Sequence, residues 1–176
     1  MTRDRRAYLQ RLLWFVPTCI VGSGCDLHTK AWAASTLSAL PSRSMTVLEP
    51  WLEWSLSYNR GTAFSVIGDL GEPVRWVLGG LALLTVVALL LFVARAKLGR
   101  MEAFAFGLIA AGAIGNGYDR SFRSAPGGGT GVIDFIKVSY PWGGSWPTFN
   151  VADIWVFMGG ALLLLLYLAR RRTQPQ

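Results

Sequence analysis

Trp76–Ala94, WVLGGLALLTVVALLLFVA, runs for nineteen residues without a single charge, and its reading decides the fold. As a helix rising 1.5 Å per residue it is about 28 Å long, close to the roughly 30 Å hydrocarbon core of a bilayer. Three shorter uncharged runs lie to either side: Leu12–Cys25 with 14 residues, Ala103–Tyr118 with 16 and Ile154–Ala169 with 16. Taken singly, each of these is short enough to be a buried core helix. Each reaches membrane length by taking in a polar cluster at one end. The expected architecture is therefore a membrane all-α fold, a single domain over 1–176 with transmembrane helices at approximately 12–28, 74–94, 102–119 and 152–169. Outer loops are expected at approximately 29–73 and 120–151.

Composition supports this reading. Of 176 residues, 52% are hydrophobic and 15% charged, against the roughly 25% charged of ordinary soluble domains. Arg3, Arg5, Arg6, Arg11, Arg95, Lys97, Arg100, Arg170, Arg171 and Arg172 all fall on one side of four crossings, with only Asp4 and Glu102 as acidic companions. The other side receives seven basic and eight acidic residues. The positive-inside rule then places both termini in the cytoplasm. The net charge of +7 is matched by anionic lipids of the cytoplasmic leaflet, and no nucleic-acid partner is needed to explain it. Gly22-Ser23-Gly24-Cys25 loosely imitates a secretory signal ending in a lipid-modified cysteine. The later apolar segments and the polar residues after Cys25 favour a retained helix. Cys19 and Cys25 stand six apart on different helix faces, which indicates neither a disulfide nor a zinc site.

Threading the chain in, out, in and out again gathers the polar residues at one membrane face. The first helix ends near Asp26, His28 and Lys30. The third ends in Gly115-Asn116-Gly117-Tyr118-Asp119-Arg120, and the fourth begins at Phe149-Asn150-Val151-Ala152-Asp153. A single aspartate there reads most simply as a helix cap or an interface residue. Three converging helix ends, joined by Asp134 in a loop segment pressed into the membrane boundary, point instead to function. The first outer segment reads as a small extended structure with turns at Pro50 and at Asn59 to Gly61. Trp51, Trp54 and Tyr58 suit an interface platform. Pro126-Gly127-Gly128-Gly129-Thr130-Gly131 reads as a mobile stretch, and it lacks the Gly-Lys-Ser/Thr ending of a phosphate loop. The region around Ser139–Phe149, with Trp142 and Trp146, is expected to lie along the interface.

The inventory of reactive side chains is narrow. His28 is the sole histidine, and no serine sits in a nucleophile elbow, so a Ser–His–Asp triad is poorly supported. His-Glu-x-x-His is absent and no metal site is expected. Carboxylates remain. Two aspartates held close cannot both ionise cheaply, so one keeps a proton while the other acts as base, which is aspartic-protease chemistry. Asp134 and Asp153 are the expected pair, because neither has an adjacent basic residue. Asp119 is followed by Arg120, which fits an ion pair bracing the turn after the third helix, or a supporting role behind the site. Asp26 has Lys30 four residues on.

The blocks Asp26-Leu-His-Thr-Lys30, Asn59-Arg-Gly-Thr-Ala-Phe-Ser65, Gly112-Ala-Ile-Gly-Asn116-Gly-Tyr-Asp119-Arg120, Val132-Ile-Asp134-Phe135 and Phe149-Asn150-Val-Ala-Asp153 occur in the order found in one family. The chain resembles the lipoprotein signal peptidases, the type II signal peptidases, which are membrane aspartyl enzymes. The resemblance implies a catalytic dyad at Asp134 and Asp153. It implies supporting or substrate-binding roles for Asp26, Lys30, Asn59, Gly61, Asn116, Asp119, Arg120 and Asn150. It also implies an extracytoplasmic β-cradle between helices one and two, no cofactor or metal, and residence in the bacterial inner membrane with the site at the outer face. The implied substrates are diacylglyceryl-modified prolipoproteins, cut on the amino side of the modified cysteine by a monomeric enzyme in contact with membrane lipids. Binding of globomycin-type inhibitors is implied as well. One departure stands out: fifteen positions separate Asp119 from Asp134, more than is usual in the family, and the glycine-rich stretch fills them. A transporter, a non-catalytic scaffold and a hydrolase of lipid headgroups fit less well. The second and fourth helices are apolar through the midplane, and few basic residues converge with the aspartates to hold phosphate.

Overall fold

A computed structural model describes residues 3–60 and 72–173. Along the chain run α1 (Arg3–Ser38), β1 (Ser44–Leu48), β2 (Leu52–Asn59), α2 (Glu72–Arg95), α3 (Arg100–Phe122), β3 (Val132–Val138) and α4 (Val151–Thr173). By length and composition, Arg75–Arg95 and Val151–Arg172 are each apolar enough to cross a membrane. The other two long helices carry charged residues, Asp26 and Lys30 in α1 and Glu102 and Asp119 in α3, with side chains turned into the protein. Leu83, Leu84, Leu91 and Phe92 of α2, and Phe157, Leu164 and Leu165 of α4, are exposed. So much apolar surface would be an aggregation hazard in water and is suited to lipid.

The central element is α3, which packs against each of the other three helices. Its buried face is made of small residues, among them Ala103, Ala105, Gly107, Ala110, Ala111, Gly112, Gly115 and Gly117. Small residues let helix backbones approach where lipid supplies no hydrophobic drive for association. A methyl group on Gly107 would lie 2.9 Å from the Phe15 carbonyl oxygen of α1, and one on Gly112 would lie 2.6 Å from Val156 of α4.

The first helix is much longer than the expected 12–28. Its outer turns continue to Ser38 because they have a partner: Ala33 and Leu37 are fully buried against Ile133, Phe135 and Ile136 of β3. Asp26 and Lys30 do not end the helix, because their charges are met inside the protein. The sheet also departs from expectation. Its order is β1-β2-β3, antiparallel throughout, so the second outer loop contributes a strand to the element expected wholly between helices one and two. Asp134 lies on that strand, opposite Ser57, and not in a loop at the membrane boundary. Trp54 packs in an aromatic cluster with Trp32 and Phe135, ring centroids 6.4 and 5.8 Å away.

The glycine-rich stretch forms a small hairpin. Gly131 N–H donates to the Arg123 carbonyl at 3.1 Å, Ala125 N–H to Gly129 at 3.0 Å, and Gly128 N–H to Ala125 at 3.1 Å. Gly127, Gly128 and Gly129 all have positive φ, which an L side chain adopts only with strain. The Arg60 guanidinium donates to the Pro126 carbonyl, and the Thr130 hydroxyl donates to the Arg120 carbonyl at 2.6 Å. Further along, Ser139 bridges Ser145, so the region expected to lie along the interface doubles back. Trp142 stands exposed there, stacked on Tyr140 at 5.4 Å.

Candidate active site

Phe149 brings the site together. Its backbone docks on β3, accepting from Phe135 N–H at 3.0 Å and Ile136 N–H at 2.8 Å and donating to the Ile136 carbonyl at 3.0 Å. The next residue, Asn150, is thereby fixed between β3 and the first turn of α4. It is fully buried and touches both expected catalytic carboxylates. Its side-chain amide donates to Asp134 Oδ1 at 2.6 Å, and its backbone N–H donates to Asp153 Oδ2 at 3.1 Å. Asp153 N–H returns a bond to Asn150 Oδ1 at 3.2 Å, the reciprocal arrangement of a helix start.

Two other amides complete this half. Asn116 Nδ2 donates to Asp153 Oδ1 at 2.9 Å, and Asn59 Nδ2 donates to Asp134 Oδ2 at 3.2 Å. The Ser57 hydroxyl donates to the Asp134 carbonyl at 3.1 Å, tying the strand pair where the aspartate emerges. Asn116 Oδ1 accepts from Asn150 Nδ2 at 3.1 Å and from Lys30 Nζ at 2.9 Å. With both acceptor positions so used, the Asn116 amide is turned with its donors toward Asp153.

The other half is ionic. Lys30, fully buried, lies 2.8 Å from Asp26 and 3.1 Å from Asp119, both also fully buried. Asp26 Oδ1 accepts from Ala152 N–H at 2.8 Å, which uses one of the free donors at the start of α4. Asp119 Oδ2 accepts from Ile133 N–H at 3.2 Å, and its Oδ1 meets Arg123 Nε at 2.5 Å. Among the described residues, no group of three or more His, Cys, Asp and Glu is arranged to hold a metal ion.

The model of the family described as Signal peptidase (SPase) II matches residues 18–169. The chain belongs to the signal peptidase II family. It is 38% identical over 143 residues to the lipoprotein signal peptidase of Syntrophomonas wolfei, covering 81% of this chain and 85% of that one. With that of Pseudomonas syringae pv. tomato it shares 34% over 170 residues, covering 94% and 91%. A solved bacterial membrane enzyme superposes with a TM-score of 0.71 at 25% identity, covering 87% of this chain and 91% of that one. A second solved bacterial membrane enzyme, 22% identical, shares the fold at a TM-score of 0.73. As a signal peptidase II, the protein is a bacterial membrane enzyme, an aspartic endopeptidase that processes prolipoprotein signal peptides.

In this signal peptidase II, Asp26, Lys30, Asn59, Asn116, Asp119, Asp134, Asn150 and Asp153 all join one connected network. Gly61 lies outside the described residues. Arg120 lies beside the network: it donates to the Asn116 carbonyl at 3.3 Å, and its charge acts on Asp119, Asp134 and Asp153. The expected ion pair of Arg120 with Asp119 is replaced. Arg123, one helical turn past Asp119, takes that place, and its i,i+4 spacing was the available signal. Gly115 was also not singled out; a methyl group there would meet the Asp26 carboxylate. Cys19 and Cys25 are free thiols.

Burial raises the Asp134 carboxyl to about 6, and the nearby charge of Asp153 pushes the same way. The hydrogen bonds from Asn150 and Asn59, and the charge of Lys30, oppose this without cancelling it. A neutral amide lowers a carboxyl less than a cation at the same distance.

Proposed function

We propose that Asp134 and Asp153 are the catalytic dyad, and that the peptide bond cut is the one on the amino side of the S-diacylglyceryl-cysteine. The observation carrying this reading is Asn150, one buried amide bonded to both carboxylates, beside a second pair whose charges are met by Lys30 and Arg123. Asp134, raised to about 6 by burial, carries the shared proton. Asp153, fixed by Asn116 and the backbone of Asn150, is the base.

The reaction follows from that division. Asp153 takes a proton from water as the water oxygen bonds to the carbonyl carbon before the modified cysteine. Asp134 gives its proton to the carbonyl oxygen. The tetrahedral centre then collapses: one of its hydroxyls returns a proton to Asp134, the C–N bond breaks, and the proton gained by Asp153 goes to the departing amine. Asn59, Asn116 and Asn150 orient the carboxylates without neutralising them. Arg120 stabilises negative charge as it develops. Gly61 enters through the family resemblance alone.

The basic residues near the start of α1, around the α2–α3 junction and in the last turn of α4 support cytoplasmic termini and a site at the periplasmic face of a multi-pass protein. We take residues 1–176 as one peptidase domain acting as a monomer, with no nucleic-acid partner and no cofactor. A globomycin-type cyclic peptide would compete for the dyad. The test is incubation of the purified protein with a prolipoprotein carrying diacylglycerol and with the same chain lacking it. Lipid-dependent release of the signal peptide, with the modified cysteine as the new amino terminus by mass, is expected. Equal cleavage of both, or a cut elsewhere, contradicts the reading.

A further inference from the structure

β3 is an edge strand, paired with β2 on one side, so the backbone N–H groups of its other edge need partners from elsewhere. The two such groups flanking Asp134 both have one. Phe135 N–H donates to the Phe149 carbonyl at 3.0 Å, and Ile133 N–H donates to Asp119 Oδ2 at 3.2 Å. The first clamp carries on through Asn150 to Asp153. The second ends on a carboxylate, whose plane turns readily about its own bond unless both oxygens are held.

Asp119 Oδ2 also meets Lys30 Nζ at 3.1 Å, while Oδ1 is held by Arg123 Nε at 2.5 Å. A cation at a helix C-terminus is favoured by the helix dipole wherever its side chain points. Arg123 is placed more narrowly than that. Its backbone N–H donates to the Asp119 carbonyl at 3.0 Å, and its carbonyl accepts from Gly131 N–H at 3.1 Å. Its guanidinium lies over the Tyr118 ring, 5.9 Å from the centroid. The Gly131 bond closes the glycine-rich hairpin, so the chain returns to the side of Arg123 just before Ile133. Arg123 and Ile133 thereby take different oxygens of one buried carboxylate. We infer that Arg123 is a positioning residue for the cleavage reaction. Through Asp119 it fixes the backbone beside Asp134, and the glycine-rich hairpin keeps it in register with that strand. The inference rests on Asp134 being one of the catalytic pair.

Two variants test this without touching the dyad. Arg123→Gln removes the charge, and Arg123→Lys keeps a cation at the same i,i+4 spacing from Asp119. For each, kcat and KM are measured on a diacylglyceryl-modified prolipoprotein, beside wild type and Asp134→Asn. Hydrogen–deuterium exchange of the full chain in detergent follows the amides of Ile133 and Phe135. Arg123→Gln is expected to lower kcat about tenfold with KM within about twofold, because a fraction of an ångström at a reacting group suffices for such a loss. Arg123→Lys is expected to recover most of the rate. The Ile133 amide should exchange faster in Arg123→Gln, while Phe135, clamped by Phe149, keeps its wild-type protection. Wild-type kcat in Arg123→Gln, or an equal loss in both Arg123 variants, overturns the inference and leaves the dyad standing when Asp134→Asn is inactive. Faster exchange at both amides together with a raised KM would overturn it too, by making Arg123 a residue of general stability. Cleavage by Asp134→Asn would defeat the dyad itself, and the inference with it.

Discussion

Four aspartates share one buried polar network, and they divide into two pairs by what faces them. Asp26 and Asp119 close around Lys30, with Arg123 on the outer side of Asp119. Asp134 and Asp153 are met by Asn59, Asn116 and Asn150, all neutral. The difference is in the charge set against each carboxylate. A cation forms an ion pair with the carboxylate it faces, while an amide supplies geometry without adding charge. The ionic pair is thereby committed to holding α1, α3 and the start of α4 together. In the proposed mechanism the amide-bound pair exchanges protons with water and substrate.

The largest effect that sharpens this contrast is on rate. Asp134→Asn combined with Asp153→Asn should lower kcat by at least about a thousandfold, and by no more than either change alone, since the two act as a unit. Single-turnover cleavage of a lipidated substrate measures it. Next is Lys30→Met, which leaves two buried carboxylates facing each other without their cation. It should cost about 3–5 kcal/mol, read as a lowered midpoint in thermal or denaturant unfolding.

Asp134→Asn should move stability the other way. Its carboxyl is raised in the folded state, so the folded protein binds the extra proton and wild-type stability falls as pH rises from about 4 through about 6. Above pH 6 the variant should be more stable than wild type by about 2–3 kcal/mol, and the gain should vanish below pH 4. Melting curves across that range decide it. The smallest effect is expected at Lys137, whose partly exposed pair with Glu53 spans 3.1 Å on the sheet. Lys137→Met should change stability by less than about 1 kcal/mol. A loss comparable to that of Lys30→Met would erase the distinction between buried and surface cations.

Much of this was legible in the sequence. The uncharged run Trp76–Ala94 identified α2, and the polar clusters at the ends of the remaining runs located the site. The ranking of Asp134 and Asp153 over Asp26 and Asp119 rested on adjacent basic residues, and Lys30 does meet Asp26. For Asp119 the adjacent Arg120 was the wrong guide, because consecutive residues on a helix point apart while Arg123, one turn on, shares its face. The length of α1 was not legible, since its last turns are specified by Ala33 and Leu37 packing on β3, a contact across about a hundred residues. The bridging role of Asn150 was hidden for the same reason, as it depends on Phe149 pairing with a strand that local pattern had assigned to a loop.

The most direct test of the central claim is a side-by-side assay of Asp134→Asn, Asp153→Asn and wild type on one diacylglyceryl-modified prolipoprotein, with a melting curve for each preparation. The account predicts that Asp134→Asn melts at or above the wild-type temperature at pH 7, that Asp153→Asn melts cooperatively as a folded protein, and that neither releases signal peptide. Cleavage near the wild-type rate by either folded variant would contradict it and place the dyad elsewhere among the four aspartates.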